Sequence, residues 1–203
     1  MNESPFLLIL MLAGGLYFAW MWFSDWQTQR TGVANPGALP GATNASPRAM
    51  LIAAAGAALL LAAETWGELA LGISAQQSDI TVLFGLYTLV AAIVEEVIFR
   101  GYLVVEKRGR AALLSGIVGA SLAFALIHEH LWRWDDEGLA LTLTAKGWFS
   151  FSAIFLGSLW FYACRFATWN PHRSLLPCFA AHFTKNAGVF AIKAIQGHVI
   201  GLW

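Results

Sequence analysis

The chain has little charge. Only 12% of its 203 residues are Asp, Glu, Lys or Arg, where a soluble domain carries about 25%. The 12 acids and 12 bases cancel, so nothing points to a nucleic-acid partner. Cysteine is scarce as well. Cys164 and Cys178 are the only two, both in or beside apolar segments and without CxxC spacing, which reads as two buried free thiols rather than a disulfide or metal site. There is no internal repeat and no stretch that reads as a soluble domain.

Hydrophobic residues make up 58% of the chain. They fall into long runs, each near the roughly 20 residues that a helix needs to cross a bilayer. Six spans are expected: Phe6–Phe23, Pro47–Ala63 with an extension toward Leu71, Ile80–Lys107, Ala111–Leu131, Trp148–Phe166 and Leu175–Ile195. The first has no basic region before it and no small-residue cleavage site close behind it, so it reads as a retained helix and not a signal peptide. Residues 25–46, whose larger part is "TGVANPGALPGATNAS", read as a polar linker. Irregular backbone cannot face lipid, and no barrel-type alternation is present. The expected fold is therefore an all-α, polytopic transmembrane helix bundle of about six spans, integral to a membrane. Residues 1–48 form an N-terminal helix with its linker, and residues 49–203 form the core.

Loop charges set the orientation. Arg30 and Arg48 flank the first connection, "EKRGR" follows the third span, and Arg165 and Arg173 flank the connection after the fifth. The intervening connections carry Glu64, Glu68 and Asp79, then the mainly acidic "HEHLWRWDDEG". This alternation puts the basic loops in the cytoplasm and both termini outside. Trp132, Trp134, Trp148 and Trp203 suit membrane interfaces.

Ionisable residues inside a span are costly and mark either function or mutual pairing. In "IVEEVIFRGYL", Glu96 and Arg100 stand four apart with the acid first, the spacing of a helical ion pair. Glu95 has Phe99 and Ala91 as its four-apart neighbours. It therefore has no local partner, and a buried carboxylate without a partner suits a general base. Phe124 and His128 share a helix face, and the histidine is either a capped helix-end residue or a catalytic one. His182 and Asn186 also share a face, either as glue between helices or as donors to a developing oxyanion. Lys185 and Lys193 on the last span snorkel or line a wet cavity, where Lys185 is a candidate for a substrate carboxylate. At 1.5 Å per residue, Glu95 lies about 20 Å back from the turn at Gly109 and His128 about 28 Å beyond it. His182 and Asn186 lie about 13 and 20 Å from Arg173. With ordinary tilt of about 20°, Glu95, His128 and Asn186 can meet at one level, toward the outside.

"EEVIFR", "FALIH" and "HFTKN", the last preceded by "SLLPCFAA", fit EExxxR, FxxxH and HxxxN in order, each on its own span. The set resembles the CAAX protease and bacteriocin-processing (CPBP, or Abi) family of intramembrane endopeptidases over about residues 80–195. That family includes the type II CAAX prenyl endopeptidases and the lysostaphin-resistance-protein-A-like proteins. The resemblance implies that Glu95 activates a water with help from His128, that His182 and Asn186 hold the oxyanion, and that Glu96, Arg100 and Phe124 support them. It implies no cofactor. The alternative is a zinc enzyme with Glu95, His128 and His182 as ligands and an open fourth position, although the spacing is not HExxH. The implied partners are the lipid bilayer and a membrane-associated protein or peptide substrate. The small size suggests a bacterial cell membrane, where a sorting signal or exported peptide suits better than a prenylated chain end. A non-catalytic scaffold or immunity protein on the same fold is the competing class. Retention of all four candidate catalytic side chains argues against it.

Overall fold

The computed structural model describes residues 4–203. Six helices follow in order: α1 Pro5–Arg30, α2 Pro47–Ala70, α3 Val82–Glu96, α4 Arg110–Leu126, α5 Ala145–Phe166 and α6 Leu176–Ile195. A π-helical segment, Val97–Tyr102, continues α3 without a break, and a 3₁₀ turn, Ser74–Gln76, precedes it. Local chemistry fixes several starts. Ser46, Thr81 and Thr144 accept from the N–H groups of Ala49, Phe84 and Gly147 at 3.0–3.2 Å, each satisfying a donor that the first turn leaves free. Pro47 and Pro177 occupy first-turn positions that need no N–H.

Four helices are long and apolar enough to cross a membrane: Pro5–Arg30, Pro47–Ala70, Val82–Tyr102 and Ala145–Phe166. Arg110–Leu126 is a shorter apolar helix. The chain is a multi-pass integral membrane protein, and its surface agrees. Phe6, Leu10, Trp20, Leu51, Leu59 and Trp66 are exposed, whereas Glu96, Arg100 and Arg165 are buried.

Helix α6 is the hub, in contact with α2, α3 and α5. Two glycines allow the approach. A Cβ at Gly188 would stand 2.3 Å from Leu61 of α2, and one at Gly85 of α3 would stand 2.3 Å from Phe190 of α6. One apolar core joins Trp22 of α1, Ala53 and Ala57 of α2, Ile93 and Val97, Phe161 and Cys164 of α5, and Cys178 and Phe179 of α6. Both cysteines are free thiols in that core.

Several sequence expectations change. The third span stops at Tyr102 and the fourth at Leu126, each five residues early. Leu176–Ile195 is helical as expected but is not among the helices apolar enough to span by composition, because it carries the polar face of the bundle. Helix α2 runs on to Ala70, so Glu64 and Glu68 are helical residues facing the bundle and not loop charges. The acidic connection after α4 folds into a hairpin, with β1 Trp132–Asp135 pairing antiparallel to β2 Gly138–Leu141. Trp132 Nε1 donates to Leu126 O at 2.7 Å and ties the hairpin to the end of α4. The linker is held down as well. Trp22 Nε1 donates to Pro40 O, Leu175 N to Gly41 O and Ser174 Oγ to Thr43 O.

Candidate active site

Glu96 is fully buried at the end of α3, and its Oε1 serves two partners. Arg100 Nη1 donates to it at 3.1 Å, and His182 Nδ1 lies at 2.8 Å. A carboxylate that pairs with a guanidinium only accepts, so Nδ1 of His182 carries a proton. The other ring nitrogen, Nε2, faces Glu95 Oε2 at 3.8 Å. The ring is fixed from its sides, stacked on Phe161 at 4.6 Å and edge-on to Phe124 at 6.1 Å. The neighbouring glutamates therefore divide as the helical spacing predicts. Glu96 is engaged by two partners through Oε1 and without exposure, while Glu95 has no close partner along its own helix and keeps 31% of its side-chain exposure.

Arg100 carries the network across the bundle. Its Nη2 donates to Ser158 Oγ at 2.5 Å and to Ser158 O at 3.3 Å, and Ser158 Oγ donates to Ser121 Oγ at 3.0 Å. The guanidinium also faces the rings of Phe124 at 4.5 Å, Tyr162 at 4.9 Å and Phe161 at 5.1 Å, a favourable setting for a desolvated cation. Four helices, α3 to α6, thus share one buried polar chain. Among the described residues Glu96 Oε2 and Arg100 Nε have no partner.

The π-helix places this arginine. Widening the turn frees carbonyls, and α5 satisfies them. Tyr162 Oη donates to Phe99 O at 2.6 Å and to Leu103 O at 3.3 Å, and Arg165 Nη1 donates to Arg100 O. Such segments recur at functional sites.

His128 lies just past α4, with its ring 4.6 Å from that of Phe124. Its Nδ1 donates to Phe124 O at 2.6 Å; a carbonyl can only accept, so Nε2 is bare in the neutral ring. Asn186 Nδ2 donates to Thr88 O at 3.0 Å, which leaves one amide hydrogen. A cavity of about 370 Å³ is lined by Phe124, His128, Phe161, His182 and Asn186 at one end. Glu95 does not line the cavity; it reaches the site through His182. Glu95, Glu96, Arg100, Phe124 and His182 are thereby brought together, and Phe124, His182, His128 and Asn186 line one cavity. Among the described residues no three His, Cys, Asp or Glu side chains gather into a set that would hold a metal ion. Glu95, His128 and His182 do not form a ligand set in this geometry.

Sequence reasoning missed Ser121, Ser158, Phe161, Tyr162 and Arg165. On α5 a signal existed: Ser158, Phe161, Tyr162 and Arg165 follow each other at three, four and seven residues and so share one face. It also missed what engages the lysines. Lys185 pairs with Glu64, and Lys146 pairs with Glu68, which also accepts from Gln77 Nε2. All five line the same cavity. Outside the spans, His130 also lines it; burial first, then the charges at His128 and Lys146, lower its pKa to about 4.

A family model described as type II CAAX prenyl endopeptidase Rce1-like matches residues 77–188, more than half of the chain. Its bounds take in all three motifs. No curated protein and no solved structure matches. The chain belongs to the Rce1-like type II CAAX prenyl endopeptidase family, a family of intramembrane proteases.

Proposed function

We propose that this Rce1-like family member hydrolyses a peptide bond in a membrane-associated protein or peptide with a water activated by Glu95. The observation that carries the reading is the unequal use of the two glutamates around one imidazole. Glu96 is occupied by Arg100 and His182, while Glu95 Oε2 and His182 Nε2 stand 3.8 Å apart. That gap is too long for a direct bond, yet one water can lie within hydrogen-bond reach of both atoms.

In this mechanism Glu95 removes a proton from the water while its oxygen bonds to the scissile carbonyl carbon. The carbonyl electron pair moves to oxygen. Protonated His182, its charge balanced by Glu96 at Nδ1, donates from Nε2 to that oxyanion, and the remaining Asn186 amide hydrogen is the second donor. Collapse of the intermediate breaks the C–N bond, and Glu95 returns its proton to the leaving nitrogen. His128, with Nε2 bare, accepts from the water and orients it. Glu96, Arg100 and Phe124 hold His182 and His128 in place.

The test is proteolysis by the purified protein in liposomes on a library of membrane-tethered peptides, read by mass spectrometry. Wild type is expected to cleave, with and without chelator. Glu95→Gln and His128→Ala are expected to lose cleavage while remaining folded. Loss on chelation with recovery on added zinc would overturn the metal-free mechanism, and equal cleavage by all three proteins would remove both residues from it.

A further inference from the structure

The hairpin after α4 carries an apolar face that the bundle leaves open. Its register sets Trp132 opposite Leu141 and Trp134 opposite Leu139. Side chains alternate along a strand, so these four stand on one face and Arg133 and Ala140 on the other. Trp134, Leu139 and Leu141 are 73%, 61% and 69% exposed. The turn between the strands carries Asp136 and Glu137, also exposed.

The base of the hairpin is fixed to the helices. Thr142 N donates to Leu131 O at 2.8 Å, Trp132 Nε1 to Leu126 O at 2.7 Å and Thr142 Oγ1 to His130 O at 3.3 Å. A Cβ at Gly147, in the first turn of α5, would stand 2.5 Å from His130 O, so α5 packs directly on the chain before β1. Glu129 has φ 54°, a left-handed turn that swings the chain from α4 toward the strand. His128 lies between α4 and this base.

Length decides where the open face lies. The 17 residues of α4 span about 25 Å, and the hydrocarbon core is about 30 Å thick. Arg108 and Arg110 hold the start of α4 at one boundary, so its end stops about 5 Å short of the other. Tilt only widens the shortfall. The hairpin and its base are what follow at that level. Two Trp and two Leu on one face, with acids at the tip, suit an interface where aromatic rings lie among headgroups and charges reach water. The sheet has two strands only, so each keeps an unpaired outer edge. The hydrocarbon interior does not tolerate such edges, which keeps the face at the headgroup–acyl boundary and no deeper.

We infer that the face of Trp132, Trp134, Leu139 and Leu141 is a lipid anchor that seats the hairpin in one leaflet and holds His128 at that level. The inference rests on the fold and not on the proposed hydrolysis. The occupant is phospholipid and not a second copy of the chain, because the face continues the exposed apolar side of α4 at Leu122, Leu126 and Ile127.

The experiment reads depth in phosphatidylcholine liposomes. The fluorophore NBD is placed on Leu139→Cys, Leu141→Cys or Asp136→Cys, and labelling of the parent chain, whose Cys164 and Cys178 are buried, sets the background. The labels at Leu139 and Leu141 are expected about 5–10 Å into the boundary. They should be quenched at least about twofold more than the label at Asp136 by lipid with a doxyl group high on its acyl chain, and at least about twofold less by aqueous iodide. Equal iodide quenching at all three positions leaves the face in water and overturns the anchor. Shielding of Leu139 and Leu141 from both quenchers shows a protein cover, a second copy in a purified sample, and overturns it as well.

The hold on His128 is read by hydrogen exchange in nanodiscs. Trp134→Glu combined with Leu139→Glu puts two charges on the anchor face. Exchange over residues 127–131 is expected to quicken at least about tenfold, with α6 unchanged and with Asp136→Gln at the tip like wild type. Unchanged exchange over 127–131 in the double variant overturns the hold on His128. The labelling experiment uses neither charge and decides the anchor even where the double variant fails to fold.

Discussion

Glu96 gives Oε1 to Arg100 and His182 with no exposure, while its neighbour Glu95 stays partly open and 3.8 Å from His182 Nε2. The two positions therefore respond differently to the same change. Glu96→Gln leaves Arg100 as a buried cation without its acid, and breaking such a pair costs about 3–5 kcal/mol. Its melting temperature in detergent should fall well below that of wild type. Glu95→Gln should melt like wild type and lose roughly 10²–10⁴ in rate; a Glu95→Gln protein that melts early and keeps its rate would reverse the assignment. At this scale the sequence was informative wherever a partner lies four residues away, as for Glu96 with Arg100 and Phe124 with His128. It was silent on His182 with Glu96 or Lys185 with Glu64, because those pairs come from helices far apart in the chain.

Helix positions were legible from hydropathy, but their ends and irregularities were set by tertiary contacts. Apolar residues run on past Arg100, yet α3 passes into a π-helix because α5 supplies donors for the freed carbonyls. Tyr162→Phe removes the hydroxyl that satisfies Phe99 O and Leu103 O and should cost about 1–3 kcal/mol. It should also lower activity by loosening Arg100. Unchanged thermal unfolding would show that the π-helix holds without it. The hairpin after α4 is not legible in the sequence because its strands are only four residues each, too short for a period-2 pattern to stand out. Just before it, His130 has a pKa lowered to about 4, chiefly by burial. The unfolded chain takes up that proton near pH 6.5, so between about pH 6.5 and 4 the unfolded state binds more protons, and stability falls as pH falls. His130→Gln should flatten this loss in denaturant unfolding followed across that range. An equally steep loss in the variant would assign the acid sensitivity to other groups.

Contacts between connections sort the molecule into two ends. Glu106 pairs with Arg165 and Arg173, and Thr43 donates to His172 O, so the first linker, the turn after the π-helix and the connection before α6 share one end. Ile80 pairs with Val199, and Lys146 pairs with Glu68, so the end of α2, the start of α3, the start of α5 and the C-terminal residues share the other. The first end carries Arg48, Lys107, Arg108, Arg110 and Arg173; the second carries Asp79, Glu129, Asp136 and Glu137. Glu64 and Glu68 leave the loop tally, since they sit inside the bundle against lysines, but the asymmetry survives without them. The positive-inside rule predicts a cytoplasmic first end. The cavity reaches residues of the second end, Gln76, Gln77, Ser78 and His130, so with that orientation the proposed hydrolysis predicts a substrate that enters from outside, as an exported or membrane-anchored chain does. Reporter fusions after Arg110 and after Asp136 should therefore report the cytoplasm and the exterior, respectively. The same side for both would break the two-ended arrangement, and a clean exchange of the two would keep the fold but turn the cavity, and with it the source of the substrate, to the cytoplasm.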